Sequence, residues 1–198
     1  MNAIVLCGGH GSRLDGDREK PLRRVGGVPM IERVRDGLRA ADAVETVHAA
    51  VSPNAPATAD WARSTDGIRV IETPGEGYVA DLGVALEAAG TPAVTVAADL
   101  PLLAGEHVDR AVGVSRQTDT VGDGTASVSV LTPARLKRRL GVSADESADD
   151  GWLPTGLNVV GDGDRSVERR SWDARLAVNV NYERDLDAAE ALLDGGER

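Results

Sequence analysis

The sequence predicts an α/β fold: a three-layer α/β/α sandwich built on a mainly parallel sheet. Three observations lead there. Short apolar runs of strand length alternate with helical stretches along the 198 residues. The first run, residues 3–6, stops at glycines, as a buried parallel strand does on entering a loop. Hydrophobic residues make up 41% of the chain, enough to cover both faces of a sheet. No internal repeat and no linker divides the chain, so residues 1–198 are expected to form a single domain.

The elements follow in order. Residues 3–6 are the first strand, and a polar, glycine-rich loop covers residues 8–27. Pro29 is expected at the first position of a helix whose apolar face is Met30, Ile31, Val34 and Leu38. Residues 46–51 predict a second strand, which Ser52-Pro53-Asn54-Ala55-Pro56 breaks. A short helix around Asp60 and Trp61 leads to a third strand at residues 68–71. Gly75-Glu76-Gly77 is a turn, residues 78–89 a helix, and residues 93–97 a fourth strand ending at Asp99-Leu100-Pro101. Residues 106–114 predict a helix, 126–131 a strand, 133–140 a helix and 143–150 an acidic loop. Residues 157–160 and 176–180 are expected as strands, and 184–193 as a closing helix with Leu186, Ala189 and Leu193 along one side. Ligands of open α/β sheets bind beyond the carboxyl ends of the strands. That directs attention to residues 7–20, 52–54, 98–101 and 179–181.

Composition narrows the function classes. The net charge of −10 argues against a nucleic-acid partner or an anionic membrane surface, both of which attract basic proteins. No apolar run approaches the ~20 residues that span a bilayer. Residues 1–6 lack the basic flank of a signal peptide, so a cytoplasmic location is expected. A single cysteine, Cys7, excludes an internal disulfide framework. His10, His48 and His107 show no metal-ligand spacing, and Trp61 and Trp172 read as packing residues. The charged set is lopsided: 20 Asp, 12 Glu and 20 Arg, against two Lys, Lys20 and Lys137. There is no Phe. Acidic, Lys-poor surfaces are those of salt-adapted proteins, and an acidic protein from a GC-rich genome is the plainer account. Where Lys is avoided, the two that remain draw notice.

The segment after the first strand reads Leu6-Cys7-Gly8-Gly9-His10-Gly11-Ser12-Arg13-Leu14, with Lys20-Pro21-Leu22 beyond it. Three glycines in four positions let the backbone turn sharply and approach a ligand. Successive N–H groups there form an anion nest, to which Arg13 and Lys20 add charge. The loop is neither a P-loop, lacking Gly-Lys-Ser/Thr, nor a dinucleotide fingerprint, lacking the third glycine. Asp99 ends the fourth strand, where a carboxylate faces the expected site, although taken alone one Asp before a Pro reads better as a helix or turn cap. Asn179 and Asn181 lie two apart on an expected strand, so both amides could face the same way.

The glycine-rich string with Lys20-Pro21-Leu22, and the turn Gly26-Gly27-Val28-Pro29-Met30-Ile31, resemble the nucleotidyltransferase family of molybdenum-cofactor guanylyltransferase and the sugar-nucleotide pyrophosphorylases. Leu14 stands where that family usually has Met. The resemblance implies a Rossmann-like, nucleotide-diphospho-sugar transferase-like fold. It also implies a catalytic trio of Arg13, Lys20 and Asp99, and Mg²⁺ on Asp99 with Asn181 or, alternatively, Asn179. The strings 52–56, 75–82 and 151–160, with Asn179-Val180-Asn181, look like the branch of archaeal GTP:adenosylcobinamide-phosphate guanylyltransferases. That implies GTP and adenosylcobinamide phosphate as substrates, in the assembly of the nucleotide loop of cobalamin. The nucleotide would then meet Leu6, Gly8, Gly9, Gly11, Ser12, Arg13, Lys20, Ser52, Asn54, Gly77, Asp81 and Gly151. Asn54 is equally readable as a turn residue, and Asp81 as a helix-start carboxylate. The rivals are a family enzyme acting on molybdopterin or a phosphorylated alcohol, and a nucleotide-binding regulator without catalysis.

The composition carries a prediction of its own. Salt screens the mutual repulsion of an acidic surface. The melting temperature is expected to rise from dilute buffer into molar KCl. A melting temperature that stays flat or falls with salt removes the salt-adapted reading.

Overall fold

The structure, a computed structural model, describes residues 1–8, 14, 18–117, 124–144 and 150–196. In chain order the strands are β1 (Asn2–Leu6), β2 (Arg24–Val25), β3 (Val28–Pro29), β4 (Thr46–Val51), β5 (Ile68–Glu72), β6 (Ala93–Ala97), β7 (Ser127–Pro133), β8 (Trp152–Val160) and β9 (Ser166–Arg170). The helices are α1 (Met30–Arg39), α2 (Pro56–Ser64), α3 (Tyr78–Ala89), α4 (Gly105–Gln117), α5 (Ala134–Arg139) and α6 (Glu183–Gly196).

β1 is short, apolar and buried at its centre, and it lies in the middle of the sheet. β4 and β6 flank it in parallel, with Ala3 opposite Val47 on one side and Val94 on the other. The full order is β5-β4-β1-β6-β8-β7-β9. Only β8 runs antiparallel to its neighbours, so the sheet is mostly parallel, as expected. Side chains alternate between faces along each strand. Ala3 and Val5 therefore join α1, α2 and α4 on one face. Ile4 joins Ala50, Ile71, Ala93 and the α3 residue Ala85 on the other. A third cluster closes the carboxyl end of the sheet: Leu14, Val25 and Met30 meet Val178, Val180 and Leu186. Leu14, which takes the place of the family's Met, is thus buried in this cluster.

Several expectations need correction. Residues 176–180 do not form a strand: a 3₁₀ turn occupies Ala174–Ala177, and the chain then runs extended outside the sheet. β8 lies between β6 and β7, so neither has an edge free for this segment. The apolar alternation survives because Val178 and Val180 are buried in the third cluster. The loop of residues 8–27 contains a 3₁₀ turn at Lys20–Leu22 and the β2–β3 ribbon. Pro29 precedes α1 as its cap and does not sit inside it. β8 begins at Trp152, five residues before the expected start. β9 was not expected at all: its polar, alternately exposed residues lack an apolar signature, as suits an edge strand. Most of the acidic loop, residues 145–149, falls outside the described residues. Trp61 packs against the core as expected, whereas Trp172 is half exposed, edge-on to Trp152 and under Arg135.

Folding also builds an ion network that spacing does not reveal. The His107 Nδ1 accepts the Ala104 N–H at 3.0 Å, so its Nε2 carries the proton toward Asp173 Oδ2 at 2.9 Å. Arg175 bonds both Asp173 oxygens and reaches Glu106. The guanidinium supplies the positive charge between these groups. Its hydrogen bonds hold the Asp173 carboxyl well below the usual carboxylate range, with help from His107. Burial holds His107 below its ordinary value despite Asp173.

A depressed carboxylate stabilises the fold above the ordinary carboxylate pKa of about 4 and loses that contribution as pH falls toward its folded value. Asp173→Asn is expected to cost about 1–3 kcal/mol at pH 7. The gap to wild type should narrow as pH drops below about 4. Melting curves of both proteins across that range check it, and a gap independent of pH contradicts the assignment.

Candidate active site

The chain leaves β1 toward β4 and leaves β6 toward the opposite side of the sheet, so a crevice opens where β1 and β6 end side by side. Leu6 pairs with Ala97 at that edge. Beyond this pair, Gly8 follows one strand and Asp99 the other.

Lys20 opens the 3₁₀ turn Lys20–Leu22. Its neighbour Glu19 accepts the N–H groups of Ala57 and Thr58 at 2.8 and 2.7 Å, satisfying free donors at the start of α2. That contact fixes the backbone from which Lys20 reaches inward. The Lys20 Nζ lies 2.6 Å from Asp99 Oδ2 and donates to Asn181 Oδ1 at 2.8 Å. The Lys20 and Asp99 side chains are only 16% and 18% exposed.

The other Asp99 oxygen, Oδ1, accepts from the Asn179 Nδ2 at 3.3 Å. That nitrogen also donates to the Thr155 carbonyl at 2.8 Å, and the Asn179 Oδ1 accepts from Lys137 Nζ at 2.9 Å. The two asparagines therefore approach Asp99 differently. Asn181 offers an oxygen to the shared cation, and Asn179 offers a nitrogen to the carboxylate. Between them, the Val180 N–H bonds the Asp99 carbonyl at 2.9 Å. The segment owes its shape to Asp185, which is fully buried in the first turn of α6. Its carboxylate accepts the N–H groups of Asn181 and Tyr182 at 2.8 and 2.9 Å, and the N–H and hydroxyl of Ser143 at 2.7 and 2.8 Å.

Asp99 Oδ2 and Asn181 Oδ1 thus converge on one positive charge, the Lys20 ammonium. A carboxylate and an amide oxygen are the hard donors that Mg²⁺ takes, usually one or two from protein with the rest from phosphate and water. The donor set fits a divalent cation.

The opposite wall is stitched around Gly75. Asn54 Nδ2 donates to the Gly75 carbonyl at 2.9 Å, and Asp81 Oδ1 accepts the Gly75 N–H at 2.8 Å. Asp81 is buried in the first turn of α3, one turn after Gly77. Ser52 stands behind this wall, its Oγ accepting the Asn54 N–H at 3.3 Å. A Cβ on Gly8 would lie 2.8 Å from Asp81 Oδ2, so a side chain there would have to push the Asp81 carboxylate aside. Cys7 is buried beside it, and burial pushes its thiol up to about 12, which makes it an inert filler.

A cavity of about 490 Å³ results, floored by Leu6 and walled by Gly8, Lys20, Asn54, Gly77 and Asp81. A second cavity, of about 480 Å³, is lined by Lys137, Gly156, Asn158, Asn179 and Asn181. Tyr78, Ala97 and Asp99 belong to both. Asp99 is the shared polar post between two chambers of similar size. Of the residues expected to bind nucleotide, Ser52 and Gly151 lie outside both walls: Ser52 lines a smaller neighbouring cavity, and the Gly151 carbonyl accepts the Ala134 N–H at 2.9 Å. Gly9, Gly11, Ser12 and Arg13 lie outside the described residues.

Sequence reading missed four contributors. Gly156, with φ +82°, places its α-carbon where a Cβ would come 3.0 Å from the Ala97 Cβ. A glycine inside a strand pattern was the available signal. Asp185 was legible as an acid three residues after Tyr182, half of a capping box. Glu19 has no local signature, because it caps a helix nearly forty residues away. Lys137 was marked only by the rarity of lysine.

Comparison with known proteins agrees with this geometry. Over 199 aligned residues the chain is 29% identical to the adenosylcobinamide-phosphate guanylyltransferase of Methanocaldococcus jannaschii, covering 98% of this chain and 97% of that one. Among solved structures it resembles a CMP:2-keto-3-deoxy-manno-octonic acid synthetase complexed with CTP, with a TM-score of 0.67 and 12% identity over 98% of this chain and 99% of that one. It also resembles the 4-diphosphocytidyl-2C-methyl-D-erythritol synthase of Anaerococcus prevotii, with a TM-score of 0.68 and 13% identity over 98% and 95%. At those identities the two solved structures speak for the fold alone, that of the nucleotide-diphospho-sugar transferases. The sequence pattern of the MobA-like NTP transferase domain matches residues 3–151, which run from β1 through Lys20 and Asp99 to the start of β8. The chain belongs to the family of MobA-like NTP transferase domains.

Proposed function

We propose that this nucleotidyltransferase moves GMP from GTP to the phosphate of adenosylcobinamide phosphate, giving adenosylcobinamide-GDP and pyrophosphate. The observation that carries the reading is the pair of cavities meeting at Asp99, one for each substrate. The full-length likeness to the M. jannaschii enzyme supports the choice of substrates.

GTP lies in the first cavity, with its phosphates toward Gly8 and Lys20; the resemblance adds Arg13, which lies outside the described residues, as a further charge for them. Guanine lies toward Asn54. The amide nitrogen of Asn54 is committed to Gly75, which leaves its oxygen to accept from the base. Asp81 acts through the Gly75 turn and not on the nucleotide directly. In the reaction an oxygen of the acceptor phosphate bonds to the α-phosphorus of GTP as the bond to the β-phosphate oxygen breaks. The electron pair leaves on pyrophosphate. An ionised phosphate is already a nucleophile, so no general base is needed. The site's work is to hold two anions together and to balance their charge. Lys20 serves the triphosphate as a point charge. Asp99 with Asn181 would hold Mg²⁺, which neutralises charge on the phosphates when bound. Asn179, tied by its nitrogen to Asp99 and Thr155, orients that carboxylate.

Two measurements test the reading. Asp99→Asn keeps the shape and removes the charge, and is expected to lower turnover with GTP, Mg²⁺ and adenosylcobinamide phosphate roughly 100-fold or more. Its melting temperature should change little, and a folded, active variant would sink the metal role. Calorimetric titration should show GTP binding at least about tenfold tighter than ATP, because a site built for one base leaves polar groups unpaired with the other. Equal affinities, or pyrophosphate release only with a different phosphorylated acceptor, overturn the assignment.

A further inference from the structure

Two cation roles fall on one pair of oxygens. Lys20 Nζ lies 2.6 Å from Asp99 Oδ2 and 2.8 Å from Asn181 Oδ1, the two hard donors that suit Mg²⁺. The remaining Asp99 oxygen accepts from Asn179 Nδ2 at 3.3 Å. Mg²⁺ binds its oxygens at about 2.1 Å, closer than an ammonium does. A metal shared by Asp99 Oδ2 and Asn181 Oδ1 would therefore stand where the ammonium stands, and two like charges do not share that place. The segments that carry the two oxygens are pinned. Asp185 accepts the Asn181 N–H at 2.8 Å, and the Asp99 carbonyl accepts the Val180 N–H at 2.9 Å. The backbone beside Lys20 is held too, through the contact of Glu19 with the start of α2. What is left to move is the flexible four-carbon stem of the lysine, which lines the first cavity.

We propose that Lys20 keeps the metal's place until a triphosphate draws it away, so that the divalent cation enters with the nucleotide and does not load ahead of it. The proposal rests on the reading of Asp99 and Asn181 as the metal's donors and adds an order of events to it. A carboxylate as covered as Asp99, with its side chain 18% exposed, is costly to leave without a cation. Exchange avoids that state. The triphosphate offers the ammonium other anionic oxygens in the same cavity, and the metal takes over Asp99 as the lysine leaves. Nucleotide and metal then raise each other's affinity, because each favours the same position of the lysine.

The probe is Mn²⁺ alone, without nucleotide. It takes the same oxygen donors as Mg²⁺ and is followed by electron paramagnetic resonance. Molar KCl screens through-space repulsion beyond a few ångströms, so what remains is competition for the oxygens themselves. Under those conditions Lys20→Met is expected to bind Mn²⁺ roughly 10- to 100-fold tighter than the wild type, because the metal no longer has to break the ammonium's hydrogen bonds. Adding Asp99→Asn to Lys20→Met should abolish the gain. A gain that survives in the double variant overturns the proposal. If wild type and Lys20→Met bind Mn²⁺ with equal affinity, the metal site stands and the exchange falls. If neither binds it, the metal role of Asp99 and Asn181 falls and takes the exchange with it.

Lys20→Met leaves a covered carboxylate without its cation and can fail to fold in metal-free buffer. The test then becomes rescue. Millimolar Mg²⁺ should restore folded Lys20→Met, read as a melting transition, and should leave the melting temperature of the wild type unchanged. Absence of rescue, or an equal rise for the wild type, overturns the proposal.

Discussion

The Asp99 carboxylate is the constraint on which the site depends. It sits at the end of a buried strand with about four-fifths of its side chain covered. A charge so placed must be paired and hydrogen-bonded, or the strand end cannot hold it. Lys20 meets one oxygen and Asn179 the other, while the backbone carbonyl takes the Val180 N–H. Each partner needs its own support. Glu19 holds Lys20 by capping α2, and Asp185 holds the Asn181 end of the segment by its four hydrogen bonds. The loop after β1, the end of β6 and the segment before α6 are therefore bound to one another through a single carboxylate.

That arrangement reconciles two opposed electrostatic demands. The molecule carries a net charge of −10, which repels anions at long range. Its proposed substrates are both anions. Screening by salt shortens the reach of the surface charge to a few ångströms at molar strength. Inside the crevice, short-range contacts with low local exposure take over, and both lysines of the chain are there. Arginine carries the remaining 20 positive charges, several of them in solvent-facing pairs such as Arg63 with Asp60 and Glu72. Such exposed pairs contribute little to stability, whereas Lys20 and Lys137 each line one of the two cavities.

The segment of residues 178–182 shows how packing substitutes for a sheet. Val178 and Val180 alternate with Asn179 and Asn181, as in a strand, and the apolar pair is buried while the amides face the chamber. No ladder enforces this alternation. The third apolar cluster pulls on one side, and Asp185 fixes the backbone N–H groups on the other. The outcome is the side-chain placement a strand gives, with backbone freedom to cross the carboxyl end of the sheet.

The parallel half of the sheet was legible because each of its strands is an apolar run ended by a breaker. β6 and α3 fall on their expected residues, and β4 likewise. Lys20 and Asp99 were marked by a charge before a proline and by a strand end, together with the resemblance to the nucleotidyltransferases, and the structure brings the two side chains together. The edge strand β9 left none, because half-exposed polar residues have no period that distinguishes them from a loop. The supposed strand at residues 176–180 failed for want of a neighbour, since strand formation needs an open edge as well as an alternating pattern. Sequence by itself thus determined the fold class and marked the strand ends near which Lys20 and Asp99 meet, because these depend on local periodicity and spacing. Tertiary structure alone decided that Lys137 turns inward and that Asp185 and Glu19 serve as distant clamps. It also decided that Gly156 rather than Gly151 lines the site. These placements depend on which elements meet across long stretches of chain, from 38 residues for Glu19 and Ala57 to 161 for Lys20 and Asn181. No local pattern carries that information.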